Sequence, residues 1–262
     1  MKNIYRYERM RDGQVRAYVV EKLRLGWSPE QISGRIRIDC PGKRILHEAI
    51  YQFVYRRYFQ GEEDLRSRLK RRHRKRQRKG DRSVQRLKRL ANKPWIDDRP
   101  SVVELRERYG DWEGDTMVSR ESSAALMTMA ERKSGLVRIR KTSRVASREV
   151  SSAMIKVLWP LPLEMRQTLT LDNGHENARW QSVERYGRVD VYFAHPYSSW
   201  ERGSNENANG LIRWYLPKKT DFARISIRTI QAIEDALNNR PRKRLGWRMP
   251  LEVFNQSVAL RC

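Results

Sequence analysis

Cysteine is scarce in this sequence, and long apolar runs are absent. Its two cysteines, Cys40 and Cys262, are too few for a disulfide framework, and no Cys-x-x-Cys pair is present to hold zinc. We therefore expect free thiols in a reducing compartment and oxygen ligands for any bound metal. No stretch approaches the ~18 consecutive apolar residues of a membrane span, and the first residues lack the apolar core of a secretory signal. These absences predict a cytoplasmic protein without a membrane partner.

Acidic residues are outnumbered by basic ones. Lysine and arginine total 56 against 31 aspartates and glutamates, which gives a formal net charge of +25. A charge of this size repels itself unless a polyanion neutralises it, so nucleic acid is the favoured partner. Membrane surfaces and ribosomal RNA would meet the same need, and composition leaves them open. The length of 262 residues predicts one sizeable domain with a smaller attachment.

Helical patterns dominate the first part of the chain. A helix start is predicted from a capping serine, a proline at the first helical position and a capping-box glutamine: Ser28, Pro29 and Gln31. A second helix is expected over 46–57, with Arg56 and Arg57 facing outward to DNA. The apolar side is predicted to comprise Leu23, Trp27, Ile32, Ile36, Ile50, Phe53 and Val54. The connection is longer than a helix-turn-helix turn, so a DNA-binding unit and a plain helical bracket both stay open.

A cationic run fills residues 66–93, with too few apolar residues to pack on a core. We expect an extended or partly disordered linker in the free protein. Dense positive charge also follows a phosphate backbone by releasing counterions, so a DNA clamp is compatible with a linker. The DNA contacts predicted in this run are Arg71, Arg72, Arg74, Lys75 and Arg76.

After residue 100 the pattern changes to alternating strands and helices. Strands are expected at 111–118, 124–130, 135–141, 167–171 and 189–194, and helices at 145–158, 176–186 and 205–215. Short turns between the first three strands favour an antiparallel meander. The order predicts an α/β domain with a mixed five-stranded sheet and flanking helices, as in a ribonuclease-H-like domain. Other α/β folds share parts of this order, so the order alone does not exclude them.

Three acidic residues fall where such a sheet could gather them: Asp115 on the first strand, Asp172 after the fourth and Glu206 at the start of a helix. A turn directly follows Asp172, which exposes its side chain to a ligand, although a turn-capping aspartate fits the same pattern. Glu206 follows Ser204, a candidate N-cap, and a glutamate there also suits the helix dipole. On the first strand Asp111, Glu113 and Asp115 share one face, and spacing cannot choose among them.

Clustered carboxylates repel one another unless divalent ions lie between them. Mg²⁺ prefers oxygen ligands and keeps several waters, so it fits this chemistry best, with Mn²⁺ as a substitute. Two such ions, roughly 3.5–4 Å apart, would activate the attacking oxygen and stabilise the leaving one in a phosphodiester displacement. The carboxylates would then hold metal rather than attack.

Three segments resemble bacterial transposases of the insertion-sequence-thirty family: 110–116 (GDWEGDT), 170–174 (TLDNG) and 195–213 (HPYSSWERGSNENANGLIR). Further similarity lies at 215–222 and 237–243, so the resemblance covers roughly residue 14 to the end. The stretch 200–210 is very specific to that family. The resemblance implies a ribonuclease-H-like core whose DDE triad is Asp115, Asp172 and Glu206, the last two separated by 206 − 172 = 34 positions.

The resemblance also implies DNA contacts near the triad. A basic residue seven positions after the glutamate is typical of such enzymes, and Arg213 occupies that position on the helical face of Glu206. Its planar guanidinium suits a phosphate, although a surface arginine fits the same place. Trp200 and Arg202 belong to an aromatic and basic string that would stack on or grip a base, while core packing of Trp200 is the alternative. We assign no catalytic role to His175 or His195.

The sequence departs from the family pattern in three places: its amino-terminal part, the loop after Thr116 and the segment after Asp172. Before Ser28 the resemblance implies a further helical DNA-binding unit, so we expect a shortened amino-terminal part. After Asp172, residues 175–177 read HEN where the family usually has a lysine and a Glu-Phe pair. These departures leave the triad in place and put recognition of the DNA ends in doubt.

The sequence thus predicts a helical DNA-binding unit over 1–60, a basic linker over 61–100 and a ribonuclease-H-like catalytic domain over 101–262. The hypothesis is a bacterial, nucleoid-associated transposase that cuts double-stranded DNA at element ends and joins it to a target, acting as a homo-oligomer on DNA. One alternative is a truncated, non-catalytic DNA-binding protein that occupies element ends and regulates transposition. Another is a nuclease on the same core that acts on RNA–DNA hybrids.

Overall fold

The computed structural model describes residue 10 and residues 12–59, 93–196 and 198–259. Contacts divide the chain into two compact units, Met1–Arg82 with Arg240–Met249, and Ser83–Asn239 with Pro250–Cys262. Residues 61–92, most of the expected linker, lie outside the described residues. Each unit is built around its own apolar core.

Within its described residues, the first unit contains three α-helices: α1 (Gly13–Arg24), α2 (Pro29–Asp39) and α3 (His47–Phe59). The predicted capping box at the start of α2 is confirmed, because the Ser28 hydroxyl accepts the Gln31 N–H and the Gln31 side chain accepts the Ser28 N–H. All the predicted apolar positions are buried in one core: Leu23, Trp27, Ile32, Ile36, Ile50, Phe53 and Val54. The amphipathic pattern therefore fixed which faces of these helices meet.

The segment Arg240–Met249 packs on this helical unit although it lies far along the chain. Gln31 donates to the Pro241 carbonyl at 2.8 Å and accepts from the Arg240 Nε at 3.0 Å. Trp247 lies against Gly34, where a Cβ in place of the glycine hydrogen would come within 2.1 Å of the indole, so only glycine permits this approach. The sequence pattern assigns 240–249 to the domain at 101–262, whereas the contacts join this segment to the helices.

The second unit is a five-stranded sheet with helices on both faces. Its strands are β1 (Asp111–Val118), β2 (Ala125–Glu131), β3 (Val137–Thr142), β4 (Thr168–Leu171) and β5 (Asp190–Phe193). The spatial order is β3-β2-β1-β4-β5, antiparallel from β3 to β1 and parallel from β1 to β5. This is the mixed sheet of a ribonuclease-H-like domain, and the predicted fold class is confirmed.

The helices of this unit are α4 (Val102–Leu105), α5 (Ser147–Leu158), α6 (Trp180–Gly187), α7 (Gly203–Tyr215), α8 (Ile227–Asn238) and α9 (Pro250–Ala259). One face of the sheet packs on residues of α5, α6 and α9, and the other packs on residues of α7 and α8. Strand alternation separates the two faces, since Trp112 points to the first core and Met117 to the second. Helix α6 begins later than expected, because residues 175–177 form a separate 3₁₀ turn.

An ion network, buried except for Glu104, connects β1 with α4 and β4. Glu113 on β1 is fully buried and pairs with Arg132, with 2.6 Å between Oε1 and Nη1. Arg132 also reaches Glu104 on α4 at 3.1 Å. Arg99 contacts the same Glu104 and donates to the Thr170 hydroxyl on β4 at 2.7 Å. Burial, followed by repulsion from Arg132, lowers the pKa of Arg99 to about 10, so the group stays charged at neutral pH.

The same glutamate holds the start of α7. The first N–H groups of a helix lack intrahelical acceptors, and the second carboxylate oxygen of Glu113 accepts the Asn205 N–H at 2.9 Å. The prediction that Ser204 caps this helix is wrong, because Arg202 is the N-cap residue and the Ser204 hydroxyl is buried without a partner among the described residues. A negative charge buried under the helix therefore replaces the local serine cap, and it also suits the helix dipole.

Among the helices of the described residues, none has both the length and the apolar character needed to cross a bilayer.

Replacing Ser28 with alanine should lower the free energy of unfolding by about 1 kcal/mol, because the Gln31 N–H loses its side-chain acceptor. Urea unfolding followed by far-UV circular dichroism measures the change. Ser101→Ala is the matched control, since Ser101 precedes α4 without making a side-chain cap. Equal stability of Ser28→Ala and the unsubstituted protein would contradict the role of the cap.

Replacing Glu113 with glutamine should cost about 3–5 kcal/mol of stability, because Arg132 is left buried without its charge partner. The double variant Glu113→Gln/Arg132→Met should lose less stability than Glu113→Gln and Arg132→Met lose together as single variants, since the double variant contains no unpaired buried charge. Denaturant unfolding of the unsubstituted protein, the two single variants and the double variant measures the coupling energy between the two side chains. Glu164→Gln, at an exposed position, is the control and should leave stability unchanged. Additive losses would mean that the two groups do not act as a pair.

Candidate active site

The pairing of β1 with β4 brings the first two acidic candidates together. The parallel register places Glu113 opposite Thr170, and two further residues along each strand reach Asp115 and Asp172. Asp115 lies on β1, and Asp172 directly follows the end of β4. Both side chains contact one guanidinium, that of Arg202, so their carboxylates share a single site.

Arg202 lies between the two aspartates. Its Nη1 is 3.5 Å from Asp115 Oδ1, and its Nη2 is 3.8 Å from Asp172 Oδ2. Its Nη1 also donates to the Gly114 carbonyl of β1 at 3.1 Å. The guanidinium therefore contributes one positive charge where two negative charges meet.

Asp115 is the more deeply placed carboxylate, with a side chain 27% exposed. Burial raises its pKa, and the neighbouring Asp172 raises it further, while Arg202 opposes both effects. Its Oδ2 accepts a hydrogen bond from Asn209 Nδ2 at 2.6 Å. Asn209 lies on α7 and also contacts the hydroxyl of Thr128, the residue opposite Asp115 on β2. One face of α7 is thereby fixed against the carboxylate.

Asp172 is oriented by the turn that follows it. Its Oδ1 accepts the Gly174 N–H at 3.0 Å and the Asn177 Nδ2–H at 2.8 Å. Asn177 is buried and also donates to the Asp172 carbonyl at 3.2 Å. The turn-capping alternative raised by the sequence is therefore partly realised, through Oδ1. The other oxygen, Oδ2, faces Arg202 and Asp115.

Glu206 lies in the first turn of α7, as the sequence predicts, and its side chain is exposed. It precedes Asn209 by three residues on the same helix, so helical geometry places it near the side of α7 that contacts Asp115. Among the described residues, however, no group of three His, Cys, Asp or Glu side chains is close enough to hold a metal ion. The structure thus gathers Asp115 and Asp172 and leaves Glu206 beside them.

The ambiguity among the three acidic residues of β1 has a structural answer. Asp111 forms a two-pronged pair with Arg108, at 2.9 Å for both contacts, and accepts from the Thr168 hydroxyl. Glu113 is used in the buried network below α7. Of the three, Asp115 is the residue whose carboxylate lies beside Asp172.

The loop between β5 and α7 is held by a histidine. The Glu201 carboxylate lies 2.9 Å from His195 Nδ1 and accepts the His195 backbone N–H at 2.8 Å. Its Nε2 lies 3.0 Å from Asp97, and its ring stacks on Trp95. The hydrogen bond with Glu201 raises the pKa of His195. These contacts give the histidine a role in holding the loop, and it needs no catalytic role to explain its place.

Of the predicted DNA contacts on this unit, Trp200 and Arg202 share the 3₁₀ turn Ser199–Arg202, and Arg213 lies on α7. Trp200 is 73% exposed, which excludes the core-packing alternative. Arg213 is half-buried, donates to the Val118 carbonyl at 3.3 Å and lies over the Phe222 ring. Arg202 points at the carboxylates in this structure. Its contact with DNA, like those of Trp200 and Arg213, stays a prediction.

The remaining predicted DNA contacts belong to the first unit and the linker. Arg56 and Arg57 lie within α3, but their side chains are outside the described part of the structure. The predicted contacts of the cationic run lie outside it altogether, namely Arg71, Arg72, Arg74, Lys75 and Arg76. These assignments also stay predictions.

Sequence reasoning missed the neutral residues that orient the carboxylates. Asn177 and Asn209 each donate directly to a site aspartate, and Asn205 donates its N–H to Glu113. Two of them, Asn205 and Asn209, fall inside the stretch that carries the family resemblance. Their presence there was a usable signal, but the side chains that they contact are distant in sequence and are brought near only by the fold.

Comparison with known proteins identifies relatives over almost the whole chain. The chain is 38% identical over 244 residues to the transposase for insertion sequence element IS4351 of Bacteroides fragilis, covering 93% of this chain and 74% of the relative. It is also 38% identical over 255 residues to transposase InsI for insertion sequence element IS30C of Escherichia coli (strain K12), covering 94% of this chain and 66% of the relative. No family model matches the chain.

Among solved structures, the chain is similar to the catalytic core domain of BIV integrase, with a TM-score of 0.45 and 17% identity over 58% of this chain and 97% of that one. The assignment itself rests on the sequence relatives, whose identity extends through both units described above. The chain belongs to the IS30 family of insertion-sequence transposases.

Proposed function

We propose that this chain cuts DNA at the ends of an insertion sequence and joins the freed 3′ hydroxyl to target DNA, with Asp115, Asp172 and Glu206 as its catalytic triad. The observation that carries this proposal is the meeting of Asp115 and Asp172 where β1 and β4 run side by side, next to the helix that bears Glu206. The relatives are named as transposases for insertion sequence elements, which supports the same reaction.

The donor set fits magnesium. Its members are carboxylate oxygens, the hard ligands that Mg²⁺ prefers, and a cationic group already lies between two of them in the structure. Asp115, Asp172 and Glu206 would hold two ions, with Mn²⁺ as a substitute. When bound, the metal neutralises charge on the attacking and leaving oxygens of the phosphodiester. Glu206, exposed in the first turn of α7, would complete this ligand set.

The chain's own residues orient the reacting groups. Asn209 and Asn177 each fix one oxygen of an aspartate, so the remaining oxygens face a common space. Glu113 fixes the start of α7 and with it the position of Glu206. Fixed ligands lower the cost of assembling the site when substrate arrives.

Double-stranded DNA is the proposed partner, bound by a homo-oligomer of this chain. The net charge of +25 supplies sequence-independent attraction to phosphates. Exposed Trp200, in the same 3₁₀ turn as Arg202, and the half-buried Arg213, on the same helix as Glu206, would contact the DNA end. The helices α2 and α3, with Arg56 and Arg57, would also contact DNA.

Replacing Asp172 with asparagine, Asp115 with asparagine or Glu206 with glutamine should each reduce magnesium-dependent cleavage and strand transfer by at least about a hundredfold. Substitutions that only disturb the orientation of a metal ligand already lower metal affinity or activity by up to about a hundredfold. The measurement uses terminal-repeat DNA of the element and separates nicked from joined products on a denaturing gel.

Asp190→Asn is the matched control, because Asp190 is exposed and lies at the end of β5 remote from Asp172. It should retain activity. Equal activity of Asp172→Asn and the unsubstituted protein would remove the triad from the mechanism. Binding of the repeats without any metal-dependent cutting would instead favour the non-catalytic alternative, and preferential digestion of RNA–DNA hybrids would favour the nuclease.

Replacing Arg71, Arg72, Arg74, Lys75 and Arg76 together with glutamine should weaken DNA binding for all sequences alike. Each phosphate contact that is lost should lower the slope of log affinity against log salt by about 0.9. Fluorescence anisotropy at several salt concentrations measures the slope.

The charge-preserving control replaces the four arginines of this set with lysine, and its slope should match that of the unsubstituted protein. An unchanged slope in the glutamine variant would show that this run is only a tether.

A further inference from the structure

The environment of Arg202 differs from that of two other arginines paired with carboxylates in this unit. Arg108 and Arg132 make ion pairs of 2.9 and 2.6 Å, each with one carboxylate of β1. Arg202 instead lies 3.5 Å from Asp115 and 3.8 Å from Asp172, beyond normal hydrogen-bond length. It neutralises two groups without binding either one tightly.

The position of Arg202 is nonetheless enclosed. Its side chain is 14% exposed, and its Nε is buried without a hydrogen-bond partner among the described residues. Burying a guanidinium with an unused donor costs free energy, so something must favour this place. Two carboxylates that repel each other supply that attraction, and Asp115 is itself partly desolvated.

The two carboxylates are also the proposed ligands of divalent ions. The Arg202 guanidinium lies between these carboxylates, and a bound metal ion would occupy the same small space. Both are positively charged. Coulomb repulsion between such charges is stronger at this partly buried site than in bulk water. Arg202 and the metal therefore compete for Asp115 and Asp172.

We propose that Arg202 is the resident counter-cation of the Asp115–Asp172 pair and that it must leave these carboxylates when divalent metal binds. This inference rests on the metal-dependent function proposed above. The loose contacts allow the exchange, since the hydrogen bond to the Gly114 carbonyl is the one contact of normal length, among the described residues, that Arg202 gives up. Arg202 ends a 3₁₀ turn, Ser199–Arg202, that also carries exposed Trp200.

Displacement gives Arg202 a second role. A guanidinium released from the aspartates keeps its positive charge but has lost its carboxylate partners. It would lie at the site where a DNA phosphate must approach two bound cations. Phosphate is a two-pronged acceptor that suits this group. Metal binding and engagement of the DNA end would then favour each other, because the phosphate stabilises the released arginine.

The test is manganese binding to the full chain without DNA, measured by electron paramagnetic resonance of the free ion. Arg202→Gln keeps a donor for the Gly114 carbonyl and removes the charge. We expect it to bind Mn²⁺ at least about tenfold more tightly than the unsubstituted protein, because no cation has to be displaced. The rise in melting temperature on adding Mn²⁺ should be correspondingly larger.

Two controls separate this role from others. Arg202→Lys keeps the charge and should bind Mn²⁺ as the unsubstituted protein does. Arg228→Gln removes one charge at an exposed position of α8 and should also leave binding unchanged. Unchanged or weaker binding in Arg202→Gln overturns the inference, and so does equal tightening in Arg228→Gln. A well-folded Arg202→Gln protein is shown by its circular dichroism spectrum.

Failure of this inference is distinguishable from failure of the proposed function. If Asp172→Asn abolishes cleavage while Arg202→Gln leaves manganese affinity unchanged, the transposase activity stands and the counter-cation role is wrong. If neither the unsubstituted protein nor Arg202→Gln binds manganese, the counter-cation role is again wrong, and cleavage of terminal-repeat DNA decides the function separately.

Discussion

The pairing of Glu113 with Arg132 is the interaction on which the geometry of the site depends. Both side chains are almost fully buried, and the network that they belong to reaches the elements that carry the three acidic candidates. Glu113 is two residues before Asp115, and the N–H that it accepts belongs to Asn205, one residue before Glu206. Through Glu104 and Arg99 the network also reaches Thr170, two residues before Asp172. These contacts thus fix the positions of β1, β4 and α7 relative to one another.

This arrangement separates two kinds of negative charge. Asp111 and Glu113 are matched by tightly placed arginines and stabilise the fold. Asp115 and Asp172 are matched, among the described residues, only by the longer contacts of Arg202. A carboxylate with a short, buried pair has little to gain from a metal ion, whereas one with a loose pair remains available. The site proposed for catalysis therefore lies where these carboxylates are least tightly paired with arginine.

Much of the fold followed from the sequence. The positions of Ser28 and Gln31 specified a capping box, and strand alternation with a helical repeat specified the five strands in order. The resemblance, rather than spacing, selected Asp115 over Asp111 and Glu113. The Ser204 cap was wrong because a local pattern cannot reveal an acceptor that comes from another strand, here Glu113. The packing of 240–249 on α2 was missed for the same reason.

The sequence by itself determined the family, the basic charge and the order of the secondary structure elements, because these depend on local spacing and on segments that can be compared directly. Only the tertiary structure decided which charges are paired. It placed Arg202 between Asp115 and Asp172 and left Glu206 exposed beside them. The reason is physical: electrostatic pairing depends on distance and burial, and both are set by the meeting of strands and helices far apart in the chain.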